Sequence, residues 1–243
     1  MVLDDRSKKI LEAVIKEFIR LGKPVSSSEI CSEYDLGVKS ATIRNELIKL
    51  EELGYIYQPH TSGGRVPTDA GYKFFASLFM EDIAIDLAEK VSGIFESIFQ
   101  ELNSSDTKGI VETMSEELGL LSIGKSSREL EVHKSGLDNL FEKLVGNFLI
   151  EDELELFKVV QDFEKIDDRM EELKKFISTK SLPLVFIGKS PITKSENLSV
   201  IVDMFKNGDE EIILGAIGPK WMDYRKPIKF FKELGSILNK NEV

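Results

Sequence analysis

The sequence predicts an α+β protein in two parts: a helical head closed by a small hairpin, then an antiparallel sheet with helices. Three observations lead there. From Ile10 to Leu50, apolar residues recur at three- and four-residue spacing, the period of helices with one oily face. A glycine-tipped hairpin signal, Tyr55 to Pro67, follows directly. Downstream the pattern changes to short apolar runs at Leu184–Ile187, Leu198–Phe205 and Glu211–Ile217, the mark of a small sheet. With 243 residues the chain can divide into units at 1–79 and 80–243, each able to bury its own core.

In chain order, Asp4 or Asp5 can cap a first helix whose Ile10, Leu11, Val14, Ile15, Phe18 and Ile19 form a continuous face. Leu21-Gly22-Lys23-Pro24 ends it. Val25 can form a short strand, and Ser27 can cap a second helix from Ser28 to Tyr34. Asp35-Leu36-Gly37 turns into a third helix, Ser40 to Gly54. There the Ser40 hydroxyl can accept from an orphan N–H at the helix start. Ile43, Leu47 and Leu50 form its oily back. Thr42, Asn45, Lys49 and Glu52 lie on another face, a front suited to base edges and phosphates in a major groove.

Beyond Gly54, Tyr55-Ile56-Tyr57 reads as a strand and Thr61-Ser62-Gly63-Gly64 as its turn. Arg65-Val66-Pro67 returns as an edge strand, where a missing N–H does least harm. A helix followed by such a hairpin, carrying His60, Ser62 and Arg65, has the layout of a winged helix-turn-helix. The third helix would enter a groove of double-stranded DNA and the wing would lie along the backbone. Asn45 and Lys49 are expected to face the groove beside Thr42. Arg44, nearer the core stripe, is expected to contact phosphate or a neighbouring helix, and Arg65 to meet phosphate from the wing.

After Thr68, another capping residue, a helix leaves this first unit. Residues 81–102 are strongly helical, with Leu87, Val91, Ile94, Ile98 and Leu102 alternating at three and four. That seam fits a homodimer interface and fits equally a helix packed on its own second unit. Residues 137–179 form two or three charged helices. Asn207-Gly208 marks a hairpin, and a last helix after Asp223 carries Ile228, Phe231, Leu234 and Ile237.

The formal charge of −11 is unevenly distributed. Residues 1–79 hold 11 basic and 11 acidic groups, whereas residues 80–243 hold 21 and 32. All the excess acid therefore lies outside the head, which disfavours non-specific nucleic-acid binding without opposing a local DNA contact. No apolar run is long enough to span a bilayer and no signal-peptide pattern precedes the first helix, so no membrane association is expected. One cysteine, Cys31, fits a reducing cytoplasm. Two histidines and one cysteine are too few for a Cys/His metal cluster, and no Gly-x-Ser-x-Gly elbow occurs. No catalytic residue, metal or cofactor is expected. Gly119 to Ser126 matches the phosphate-loop pattern, with Val200–Asp203 as a possible magnesium-binding strand end. That chemistry requires a strand before the loop and a helix after it, and here the order reads reversed.

Four phrases, GKPVSSSEI, ATIRNEL, LEELGYIYQPHTSGGRVPTDAGY and the looser IGPKWMDY, resemble the HrcA family, the heat-inducible transcription repressors of bacteria. The first three cover most of residues 3–79. The resemblance implies a repressor of chaperone genes acting through an inverted-repeat operator, with the GroEL chaperonin as a partner that keeps it active. It also implies a GAF-like second unit, shortened here because the region between Ser122 and Leu137 leaves little room for the family's middle strands and inserted dimerisation domain. A ligand-sensing regulator, with a small-molecule pocket in the second unit, is the alternative.

Overall fold

The computed structural model describes residues 3–60, 63–81, 93–146, 153–177 and 183–238. It divides into two compact units, Met1–Leu78 and Phe79–Val243.

The first unit begins with α1 (Asp5–Leu21). Asp4 caps it by accepting from the Ser7 N–H at 2.8 Å, and Gly22, at φ +63°, closes it onto the Phe18 carbonyl. Ile10, Leu11, Val14, Ile15 and Phe18 are buried. The next helix, α2 (Ser27–Glu33), is capped by Ser26 in a reciprocal box with Glu29, one residue earlier than the expected Ser27. In α3 (Ser40–Glu52) the expectation for Ser40 fails. Lys39 occupies the capping position without a side-chain bond, and Ser40, inside the helix, donates to the Ser27 hydroxyl at 3.2 Å. Ile43, Leu47 and Leu50 are buried as the stripe requires.

Two short strands follow, β1 (Ile56–Tyr57) and β2 (Val66–Pro67), paired antiparallel with Ile56 opposite Pro67. Val25 adds an antiparallel bridge to Arg65 through two backbone bonds of 2.7 and 2.9 Å. Thr68 caps α4 (Asp69–Glu81), its Oγ1 accepting from the Gly71 N–H. The boundary between the units falls within α4.

The second unit contains α5 (Gly93–Asn103), α6 (Thr107–Leu118), β3 (Leu121–Ser126), β4 (His133–Ser135) and α7 (Leu137–Gly146). There follow α8 (Glu153–Glu164), α9 (Ile166–Phe176), β5 (Leu184–Ile187), β6 (Leu198–Asn207), β7 (Glu210–Pro219) and α10 (Arg225–Leu238). The sheet is antiparallel throughout, in the order β4-β3-β7-β6-β5. Its longest pair, β6 and β7, turns through Gly208 at φ +61° and Asp209, as the Asn-Gly signal predicted. Helices pack on both faces. On one, Phe231 of α10 stacks on Phe205 and the Tyr224 hydroxyl meets Ser199. On the other, Glu171 and Lys174 of α9 pair with Lys125 and Glu211. The Leu184–Ile187 strand is mostly half-buried, because it forms an edge of the sheet.

Two sequence expectations resolve here. Within the apolar seam, Ile98 is fully buried in its own unit, with Leu102 beside it and Phe95 stacked on Phe230 at 5.4 Å. Ile98 therefore belongs to this unit's core and is unavailable to a dimer seam. Leu87, Val91 and the Ile94 side chain lie outside the described residues. The phosphate-loop pattern is also explained. Gly119, at φ +59°, ends α6, and Gly124 lies mid-strand opposite Leu214. A Cβ at Gly124 would come within 2.5 Å of the Val111 side chain, so glycine permits close packing of α6 on the sheet. Helix then strand is the reverse of a phosphate cradle.

Candidate nucleic-acid interface

The exposed side of α3 can be built from its own period. With Ile43, Leu47 and Leu50 inward, the outward residues are Ala41, Arg44, Asn45, Ile48 and Glu52. Among the described residues, neither Arg44 nor Asn45 makes a side-chain hydrogen bond or ion pair within the chain, so both heads are available to a ligand. Thr42 is half-buried on the flank. Lys39, at the helix start, is exposed and unpaired as well, and sequence reasoning missed it. Its signal was there: a cation at the capping position can approach a phosphate together with the orphan N–H groups of the first turn.

Lys49 is placed differently from the sequence expectation. Its Nζ bonds Asp4 at 2.7 Å and the Ser7 hydroxyl at 3.1 Å, with Glu46 at 3.8 Å. Ser7 in turn donates to Glu46 at 2.8 Å. The ammonium is thus turned toward the N-terminus of α1 rather than outward. It holds the Asp4 carboxyl well below the usual carboxylate range, and Asp4 raises Lys49 in return. The outcome is a polar tie between α1 and α3.

Arg65 is likewise an internal tie. Its side chain is only 12% exposed and pairs with Glu51 of α3 at 2.9 Å. Glu51 also accepts from the Gln58 N–H at 3.1 Å, so one carboxylate holds both arms of the hairpin to the helix. The Gln58 side chain reaches across to the Gly63 carbonyl at 2.8 Å. His60 is exposed, and Ser62 lies outside the described residues. Between α3 and the hairpin runs a cleft lined by Val25, Ser27, Arg44, Ile48, Gln58 and Gly64, among others. The wing is therefore fastened beside the outward face of α3, and the cation it was expected to offer is used in fastening it.

A three-helix head with an exposed third helix and a hairpin pinned beside it is a winged helix-turn-helix. Family models agree with that class and narrow it. Residues 2–79 match the winged helix-turn-helix transcription repressor, HrcA DNA-binding model, and residues 77–228 match the HrcA protein C terminal domain. The chain belongs to the HrcA family.

Among curated relatives, the heat-inducible transcription repressor HrcA of Lachnoclostridium phytofermentans is 55% identical over 82 residues, covering 34% of this chain and 24% of the relative. The protein of the same name from Acetivibrio thermocellus is 38% identical over 126 residues, covering 52% and 33%. The matched stretch thus spans about a quarter to a third of these relatives' length. A crystal structure described only as a hypothetical protein superposes with a TM-score of 0.73 at 18% identity, covering 98% of each chain, which shows the shared fold. Among the described residues, no helix is long and apolar enough to cross a membrane, and no group of three His, Cys, Asp or Glu could hold a metal.

Proposed function

We propose that this protein is a non-enzymatic, sequence-specific DNA-binding repressor of transcription, acting in the cytoplasm on heat-shock genes. The observation that carries the reading is the outward face of α3. It holds Asn45 and Arg44 without internal partners, at the side of a hairpin that Glu51 fixes in place. Asn can bond an adenine edge in bidentate fashion, and Arg can bond guanine or phosphate. The names of the matched relatives support repression and heat as the inducing condition. One such helix reads only a few base pairs, so the working form is a homodimer on an inverted repeat. GroEL dependence enters the proposal through the family resemblance alone.

Chromatin immunoprecipitation of the native protein tests this directly. An enriched inverted repeat upstream of chaperone genes is the expected result. If the purified chain bound that sequence no more tightly than random duplex, the reading would fail.

A further inference from the structure

Within the first unit, Ile48 and Tyr57 are the described large hydrophobic side chains that stand exposed, and Ile48 is the one on α3. It is 42% exposed and lines the cleft under the hairpin, so part of the side chain is packed and part faces out. A lone surface isoleucine needs no explanation in itself. This one lies on the same outward line as Asn45, three residues away, with Ala41 two turns back on that line. The face that displays an unpartnered amide therefore also displays hydrocarbon. Isoleucine is branched at Cβ and stiff at χ1, so its methyl groups are presented in a fixed direction.

The DNA major groove contains one apolar group, the C5-methyl of thymine. Three residues of helix advance about 4.5 Å along the axis, and stacked base pairs are about 3.4 Å apart. A side chain three residues from Asn45 on the same face is therefore spaced for the neighbouring base pair. We infer that Ile48 reads a thymine methyl beside the base that Asn45 contacts, giving the helix a preference for an A·T-containing step. This inference rests on the DNA-reading role proposed above and names which residues set its specificity.

The test uses the full chain and the duplex it selects from a random-sequence pool. Each thymine is replaced in turn by deoxyuridine, which removes the methyl and leaves every hydrogen-bonding group in place. Wild type should lose about fourfold in affinity at one thymine per half-site, the amount expected for one buried methyl. Ile48→Ala should bind the thymine and deoxyuridine duplexes alike at that position, with its circular dichroism unchanged. If Ile48→Ala kept the wild-type discrimination, or if wild type were indifferent to every methyl, the assignment would be wrong. Failure to select any sequence would overturn the functional reading itself, and this inference with it.

Discussion

The two units differ in where most of their polar ties lie. In the first, ion pairs with at least one half-exposed partner tie separate elements, Lys49 to Asp4 and Arg65 to Glu51. The one buried carboxylate among its described residues, Glu17, is met by Arg20 of its own helix and by the Tyr34 hydroxyl. In the second, carboxylates lie inside. Glu210 accepts from Ser105 and Ser126 and pairs with Arg128. Asp162 accepts from Arg169 and from the N–H groups of Lys194 and Ser195. Asp203 is only 7% exposed, and among the described residues its carboxylate accepts from the Met204 N–H alone, at 2.8 Å. Surface ties are individually weak and fix a pose, whereas buried groups cost much when a partner is missing. One unit uses its charges to fasten α1, α3 and the hairpin to one another, the other to satisfy carboxylates inside its core.

The largest effect is expected where the second unit is densest. Phe231→Ala should cost about 3–5 kcal/mol, since Phe231 is fully buried against Phe205 and Phe230. Thermal unfolding should show the second unit melting early. Loss of the first unit's signal at the same temperature would show that the two units unfold as one.

Next comes Asp203. Burial pushes its carboxyl up from 3.8 to about 6. An acid raised on folding is no burden below its unfolded value, becomes one between pH 3.8 and 6, and stays so above. Asp203→Asn should therefore stabilise by up to about 3 kcal/mol at pH 7.5 and by nothing near pH 3.5. Melting curves of the pair at both pH values check this. A gain independent of pH would mean that the carboxylate finds a partner when ionised.

Asn45→Ala should weaken binding to the selected operator by about 1–3 kcal/mol and relax base choice at one position. Equal losses on operator and random duplex would remove Asn45 from base reading.

Arg65→Ala separates a tie from a phosphate contact. As a tie, its loss should cost about 1–3 kcal/mol in local stability, read as faster amide exchange at Tyr57. The salt dependence of DNA binding should then stay as in wild type. A slope flattened by about one would put the guanidinium on phosphate instead. Lys49→Ala should have the smallest effect, a slight loss of thermal stability with operator choice unchanged. The Asp4 carboxyl, depressed in the folded state, contributes stability above pH 3.8 that fades as pH falls. That acid dependence should shrink in the variant.

What the sequence disclosed follows from the range of each interaction. The α3 stripe, the hairpin and the Asn207-Gly208 turn depend on residues a few positions apart, and all three were legible. Lys49 was misplaced because its partner, Asp4, is 45 residues away in the chain. Arg65 looked like the wing's free cation because nothing local marks Glu51 as its partner. The seam through Ile98 showed an apolar face but not what would cover it. Ser40 failed as a cap because a serine one residue inside a helix has the same composition signal as one at its edge. Ile48 drew no notice, since one apolar residue off the stripe has no period.

The root of the hairpin constrains how this chain can change over time. A Cβ at Gly64 would come within 2.5 to 2.6 Å of the Pro24 and Val25 backbone, so any larger residue there would force the hairpin away from the α1–α2 connection. Gly63 faces a milder limit, 3.1 Å from the His60 carbonyl. The root is thus closed to mutation, whereas the segment between Gln58 and Gly63 is framed by the side-chain bond that joins its ends. Any reshaping of the hairpin that reaches Gly64 would therefore also shift the α1–α2 connection beneath it.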